Sequence, residues 1–323
     1  MACRDAPSTP PTPLPTAGDV ASTLNSIDQW INAAQPDKGE LIARTAVEKH
    51  PQIAVFHAEL GRILLIKSGA ATADTLPERA ADLAAEALAS FQHAFDLGLE
   101  KPVVLRSAGI AAEQSGHLEE AIEWYQRGSP ADPSSTLYLA LALLRADLPI
   151  EASQTLKPLL DATPDDPFLN ATWAECFAAQ EYYDRAIESI DNAIRFAPNE
   201  PAFRVRRAAM LRRSGTPLAA AESLLAMGEA ARATFAVTDE LSAAFLAANR
   251  PADAAASWAF FAKANPGDAA AVVRTIDAYL VADDVANADA WLALLDLLEV
   301  EHSERARLAE ALNAGAVRRQ VEE

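Results

Sequence analysis

The sequence is short of what most folds and most active sites are made from. It has 12 glycines in 323 residues, and its apolar half is dominated by Ala and Leu. That composition favours helix, because Ala and Leu cost least in a helix and Gly costs about 1 kcal/mol per site. No sustained alternation of Val, Ile, Thr and aromatic residues between turn signals is present, so strands are not expected. The two cysteines are Cys3, in a Pro-rich stretch, and Cys176, inside a helical pattern. They define neither a disulfide framework nor a metal cluster. No apolar run reaches the roughly 18 residues that cross a bilayer. The first fifteen residues also lack the apolar core of a signal peptide, so the chain as written reads as cytoplasmic, with no transmembrane segment. Basic residues are in the minority, 27 Lys and Arg against 46 Asp and Glu, for a net charge of −19. A surface this acidic repels a phosphate backbone, so nucleic acid is not an expected partner. No long block of like charge occurs, and the acidity reads as solvated helix faces.

Catalytic patterns are missing as well. There is no glycine-rich phosphate loop and no G-x-S-x-G elbow. His57 and His302 begin no H-E-x-x-H; His50 and His57 are separated by a turn at Pro51, and no Cys or carboxylate completes a metal site there. The histidines read as surface or hydrogen-bonded packing residues. The pairs Asp165–Asp166 and Asp283–Asp284 sit at expected turns, where carboxylates cap helices. Cys176 has no histidine near it in sequence and reads as a buried helix residue. Trp173 and Trp258 lie at packing positions. The chain is therefore expected to be no enzyme, with no catalytic residue, no metal and no cofactor.

What is present is a period. Ala152, Ala186, Ala220, Ala254 and Ala288 follow one another at steps of 34 residues. Four residues beyond each comes a larger apolar side chain: Leu156, Ile190, Leu224, Trp258 and Leu292. Seven beyond lie Leu159, Ala193, Met227, Phe261 and Leu295. Offsets of four and seven share one helical face. A preceding helix repeats at the same step through Leu143, Phe177, Leu211, Phe245 and Tyr279, with Ala140, Ala174, Ala208, Ser242 and Ile276 three residues earlier. The mostly small residues at these last positions let two backbones approach. Gly116, Asp147, Glu181, Gly215, Asn249 and Asp283 occupy the turns between the two helices. All but Glu181 are residue types that tolerate the left-handed backbone of a helix end. Pro149, Pro217 and Pro251 open second helices, Pro133, Pro167 and Pro201 open first ones, and Pro164, Pro198 and Pro266 follow helix ends.

At these residues the chain resembles the tetratricopeptide repeat, a 34-residue helix–turn–helix. That family favours a small residue at repeat position 8, a large apolar one at 11, Ala at 20, an apolar or aromatic one at 24, Ala at 27 and Pro at 32. Residues 167–200 fit best, through Ala174, Phe177, Ala186, Ile190, Ala193 and Pro198. The resemblance implies an all-α fold, a right-handed α-solenoid of about eight antiparallel helix pairs with a C-terminal capping helix. Residues 1–19, with five prolines, read as a disordered tail, 20–302 as the array, clearest over 102–300, and 303–323 as the cap, started by Ser303 and striped by Leu308 and Leu312. Residues 20–51 form a degenerate unit with Trp30, Ala46 and Pro51. Residues 52–100 carry Leu60 and Gly61, then, after a long linker with a Thr75–Glu78 capping box, Ala87, Phe91 and Ala94. Residues 102–132 carry Gly109, Gly116, Ala121 and Tyr125. Two departures stand out. Arg204 and Arg207 replace buried family positions, and Arg232 and Val300 replace the Pro of position 32. Packing around 201–234 is the first place where irregularity is expected.

Stacked hairpins of this family curve, and their first helices line a concave face at positions 2, 5, 9, 12 and 13. Carried over, this implies a partner-binding set of Arg106, Leu141, Arg145, Phe168, Glu175, Ala209, Arg212, Arg213 and Asp239, with Ile110, Glu113 and Leu246 beside them. The Lys–Asn pairing of members that clamp a terminal carboxylate is absent. The run Arg204–Arg213 holds five arginines, which either meet an acidic or phosphorylated partner segment or pair internally. The function expected is a non-catalytic scaffold binding a protein or peptide. Two alternatives stay open. One is an envelope lipoprotein anchored through Cys3, since Ala2-Cys3 before a Ser/Thr/Pro tether resembles a mature bacterial lipoprotein whose start codon lies upstream. The other is a helical accessory subunit of an enzyme.

Overall fold

The computed structural model describes residues 14–73, 76–295, 298 and 302–322, with the side chains of 72, 73 and 315–322 left aside. Cys3, Thr75 and Val300 lie outside the described residues. Among those described, every regular element is a helix. The helices pair as α1 (Ala17–Asn32) with α2 (Pro36–Lys49), α3 (Ala54–Ala73) with α4 (Pro77–Asp96), α5 (Pro102–Gln114) with α6 (Leu118–Gly128), and α7 (Pro133–Arg145) with α8 (Pro149–Ala162). There follow α9 (Pro167–Ala179) with α10 (Tyr183–Phe196), and α11 (Pro201–Arg213) with α12 (Pro217–Leu225) and a short α13 (Glu229–Arg232). The last are α14 (Phe235–Ala247) with α15 (Pro251–Ala264), α16 (Ala269–Val281) with α17 (Val285–Leu295), and α18 (His302–Glu322). The fold is an all-α solenoid of eight pairs and a terminal helix among the described residues. It divides into two compact units, residues 1–159 and 160–323. No described helix is long and apolar enough to cross a membrane.

The turns follow from local chemistry. Gly116, Asp147, Glu181, Gly215, Asn249 and Asp283 all have φ between 56° and 87°. At each, the next residue's N–H reaches back to a carbonyl five residues earlier, as in Leu148 to Leu143 and Arg250 to Phe245, at 2.8–3.0 Å. This bond satisfies carbonyls that a helix end leaves open. Glu181 adopts the same geometry (φ 63°) without glycine's freedom. The opposite ends are capped by carboxylates. Asp132, Asp166, Glu200 and Asp268 accept backbone N–H bonds from the first turns of α7, α9, α11 and α16. Asp284 accepts the Asn287 N–H at 3.1 Å.

The five periodic alanines, Ala152, Ala186, Ala220, Ala254 and Ala288, are all buried, at 1% exposure or less. In the C-terminal unit the core is a chain of clusters, each tying one pair to the next. Ala174, Ile190 and Phe203 join α9, α10 and α11. Ala208, Leu224, Leu241 and Ala254 join α11, α12, α14 and α15. Trp258, Ile276, Trp291 and Leu308 join α15, α16, α17 and α18. Each pair thus buries its apolar stripe on its neighbour, and α18 covers the last one with Leu308 and Leu312.

Two expectations need correction. The helical array begins at Ala17, not residue 20, because Thr16 and Asp19 form a reciprocal capping box. The long linker within 52–100 is not there: α3 continues to Ala73 and α4 starts at Pro77, since the residues assigned to the linker extend both helices to 20 residues. Leu76 is the N-cap of α4, with no side-chain cap. The last helix includes His302 and Ser303. The irregular packing expected over 201–234 is present as a break. The second helix stops at Leu225, turns through Gly228 and resumes for one turn as α13, with Met227 buried in the core between them.

Candidate functional site

The first helices of adjacent pairs lie side by side within each unit, and cross-links between them locate most of the residues singled out in the sequence. In the N-terminal unit Arg145 on α7 pairs with Glu113 on α5, and Glu113 also accepts the Tyr125 hydroxyl at 3.1 Å. Burial first, then the Glu113 carboxylate, pushes the Tyr125 phenol far up, so it remains a donor. Arg106 pairs with Asp132, the N-cap of α7. Burial alone would raise the Asp132 carboxyl; the Ser135 hydroxyl and Arg106 outweigh it and hold the group below its usual range. Leu141 is half-buried.

In the C-terminal unit Phe168 on α9 meets Phe203 on α11 edge-on, with ring centroids 5.6 Å apart. Glu175 is half-buried; burial raises its carboxyl against the pull of Arg206 and Arg213. Of the five arginines over 204–213, four have described partners. Arg204 donates to the Pro198 carbonyl, Arg207 to Asp191, Arg212 to both oxygens of Glu240 at 2.7 and 3.1 Å, and Arg213 to the Ala178 carbonyl. Ala209 is half-buried and Asp239 exposed. Cys176 is buried, and that burial, with Glu175 beside it, pushes its thiol up to about 12. His57 is also buried and bonds the Pro51 carbonyl at 2.7 Å.

The first-helix face is open in the C-terminal unit. Between α14 and α16 runs a groove of about 340 Å³. Its walls are Asp239, Ser242, Ala243 and Leu246 on α14, and Arg274, Asp277, Ala278 and Val281 on α16. Both sets have the spacing i, i+3, i+4, i+7, so each is one face of its helix. The floor is Ala254 and Trp258 of α15. Leu246 and Val281 are 47% and 64% exposed at the rim, while Trp258 is buried beneath. Arg274 lies over two rings, Phe235 at 4.8 Å and Trp258 at 5.2 Å. Asp277 is held by Arg307 of α18 through two bonds of 3.1 and 3.0 Å. Asp239 and Leu246 were read from the sequence. The α16 wall was missed, although one further step of 34 residues from Ala243 leads to Asp277. A larger hollow of about 450 Å³, among α1, α2 and Phe56, is walled by Pro15 beside the undescribed residues 1–13, and none of the sequence-derived site residues lines it.

No family model matches the sequence. A search of curated proteins gives no match either. Solved structures do match. A tetratricopeptide repeat protein from Parabacteroides merdae aligns over 74% of this chain and 90% of its own, with a TM-score of 0.59 at 14% identity. A chain of the APC/C hetero-tetramer Cut9–Hcn1 aligns over 75% of this chain, with a TM-score of 0.53 at 16% identity. This protein spans 46% of that second chain's length. With the 34-residue period, the left-handed turns and the buried alanines already in place, these likenesses lead to one conclusion: the chain has the tetratricopeptide-repeat fold.

Proposed function

We propose that this protein is a scaffold that holds a segment of another protein on its first-helix face, and that the groove between α14 and α16 is the principal seat. The observation that carries this reading is the groove itself: an apolar trough with Leu246 and Val281 exposed at its rim and Trp258 as its floor. An exposed apolar surface rimmed by polar groups is where a partner gains most from excluding water. An aromatic floor is the kind of anchor that dominates such contacts. An acidic partner segment on the arginines is less favoured, because Arg212 is already forked onto Glu240 and Arg145 is paired with Glu113.

Selection of peptides from a random displayed library against the full chain tests this. The expected outcome is a set of binders that lose at least tenfold in affinity on Ala243→Trp, which fills the trough from α14. Circular dichroism should stay unchanged. Absence of binders, or binders indifferent to that filling, would overturn the proposal.

A further inference from the structure

We infer that the segment seated in this groove carries a lysine or arginine beside an apolar residue, the cation meeting Asp239 and the apolar side chain lying over Trp258 between Leu246 and Val281. The inference rests on the groove being a docking site, and it concerns what the groove accepts.

The charges around the trough are unequally committed. Asp277 is bridged by Arg307, and Glu240, one residue along α14 from Asp239, is bridged by Arg212. Arg274 is stacked on the faces of Phe235 and Trp258. Asp239 is exposed and has no hydrogen bond or ion pair among the described residues; it lies within the field of Arg212, whose fork is taken by Glu240. In the free protein water solvates this carboxylate at no cost. Under a bound chain that water leaves, and a carboxylate without a counter-charge opposes binding. The two lone charges on the walls also differ in reach. Arg274 has a long stem and can keep its head in water when the groove is covered. Asp239 has a single methylene and stays in the wall. A partner without a cation at this point is therefore selected against, which is how one unpaired group sets specificity. The field of a chain with net charge −19 acts in the same direction during approach. The trough, at about 340 Å³, has room for a few apolar side chains and not for a folded domain edge, so a short amphipathic segment fits it.

Peptide selection on the unaltered full chain, with affinities then measured on Asp239→Lys, Asp239→Asn and Ala243→Trp, tests this. Groove-dependent binders, recognised by their loss on Ala243→Trp, should be enriched in Lys or Arg next to Leu, Ile or Phe. They should bind Asp239→Lys at least tenfold more weakly, and replacing their basic residue by Glu should restore binding to that variant. Asp239→Asn, the milder change, should give an intermediate loss and a flatter dependence on salt. Groove-dependent binders with no basic residue, or with affinity unmoved by Asp239→Lys and Asp239→Asn, would overturn this inference and leave the docking groove standing. Binders insensitive to Ala243→Trp would remove the groove itself.

Discussion

Two places in the molecule occupy the same repeat positions and are finished in opposite ways. Between α5 and α7, the second-helix aromatic is Tyr125; between α14 and α16, it is Trp258. Facing Tyr125 is Gly109, where an added Cβ would lie 2.4 Å from the ring, so the aromatic rests directly on the helix backbone. Facing Trp258 at that position is Ser242. Tyr138 stacks on Tyr125 at 5.6 Å, and Arg274, its counterpart, stacks on Trp258. Above Tyr125 the space is closed by Glu113 bridging to Arg145. The matching residues of the C-terminal unit are Leu246 and Val281, which cannot bridge, and the space there is a groove. One architecture therefore yields a sealed crossing or an open one according to two side chains per helix pair. An α-solenoid can carry its binding surface in a few such positions and leave the hairpins alone.

The largest expected effect that separates the two crossings is on stability. Trp258→Ala removes a buried floor and should cost about 3–5 kcal/mol, seen as a lower denaturant midpoint of the C-terminal unit. Gly109→Ala tests the sealed crossing. Tyr125 is fully buried and tethered to Glu113, so the new methyl has nowhere to go and should cost about 1–3 kcal/mol by the same measurement. A cost near zero would mean that the glycine is not what lets Tyr125 close the seam. Transplanting the bridge sharpens the comparison further. Leu246→Glu with Val281→Arg should change stability by about 0.5 kcal/mol or less, both sites being exposed, while abolishing capture of groove-dependent peptides. Retained capture would show that the bridge is not what distinguishes the two places. The smallest effect concerns Glu175. Its folded carboxyl is raised by burial, so folding favours the protonated form. The resulting penalty is absent below the ordinary carboxylate range and complete once pH exceeds the folded value. Glu175→Gln should therefore raise the melting temperature slightly at pH 7 and leave it unchanged in acid.

Much of this was readable from residues alone, and the reason differs by feature. The positions at φ > 0 between paired helices could be named because a helix end needs a left-handed residue wherever the chain reverses in so few residues. Glu181, the one unsuited residue type, adopts that backbone anyway, so the turn is imposed by the packing of α9 on α10 rather than chosen by residue 181. The break after Leu225 was foreseen as irregularity but not as a second short helix, although Gly228, the N-cap of α13, marks its place in the sequence.

The sequence by itself determined the period, the pairing of helices and the inward face of each, because these depend on spacing within a few turns and on a step of 34 residues. Tertiary structure alone decided which arginines are already spent on neighbours and which crossing stays open. Those outcomes depend on reach and competition between side chains about 30 residues apart, such as Arg145 with Glu113 and Arg212 with Glu240, and no pattern along the chain states which partner wins.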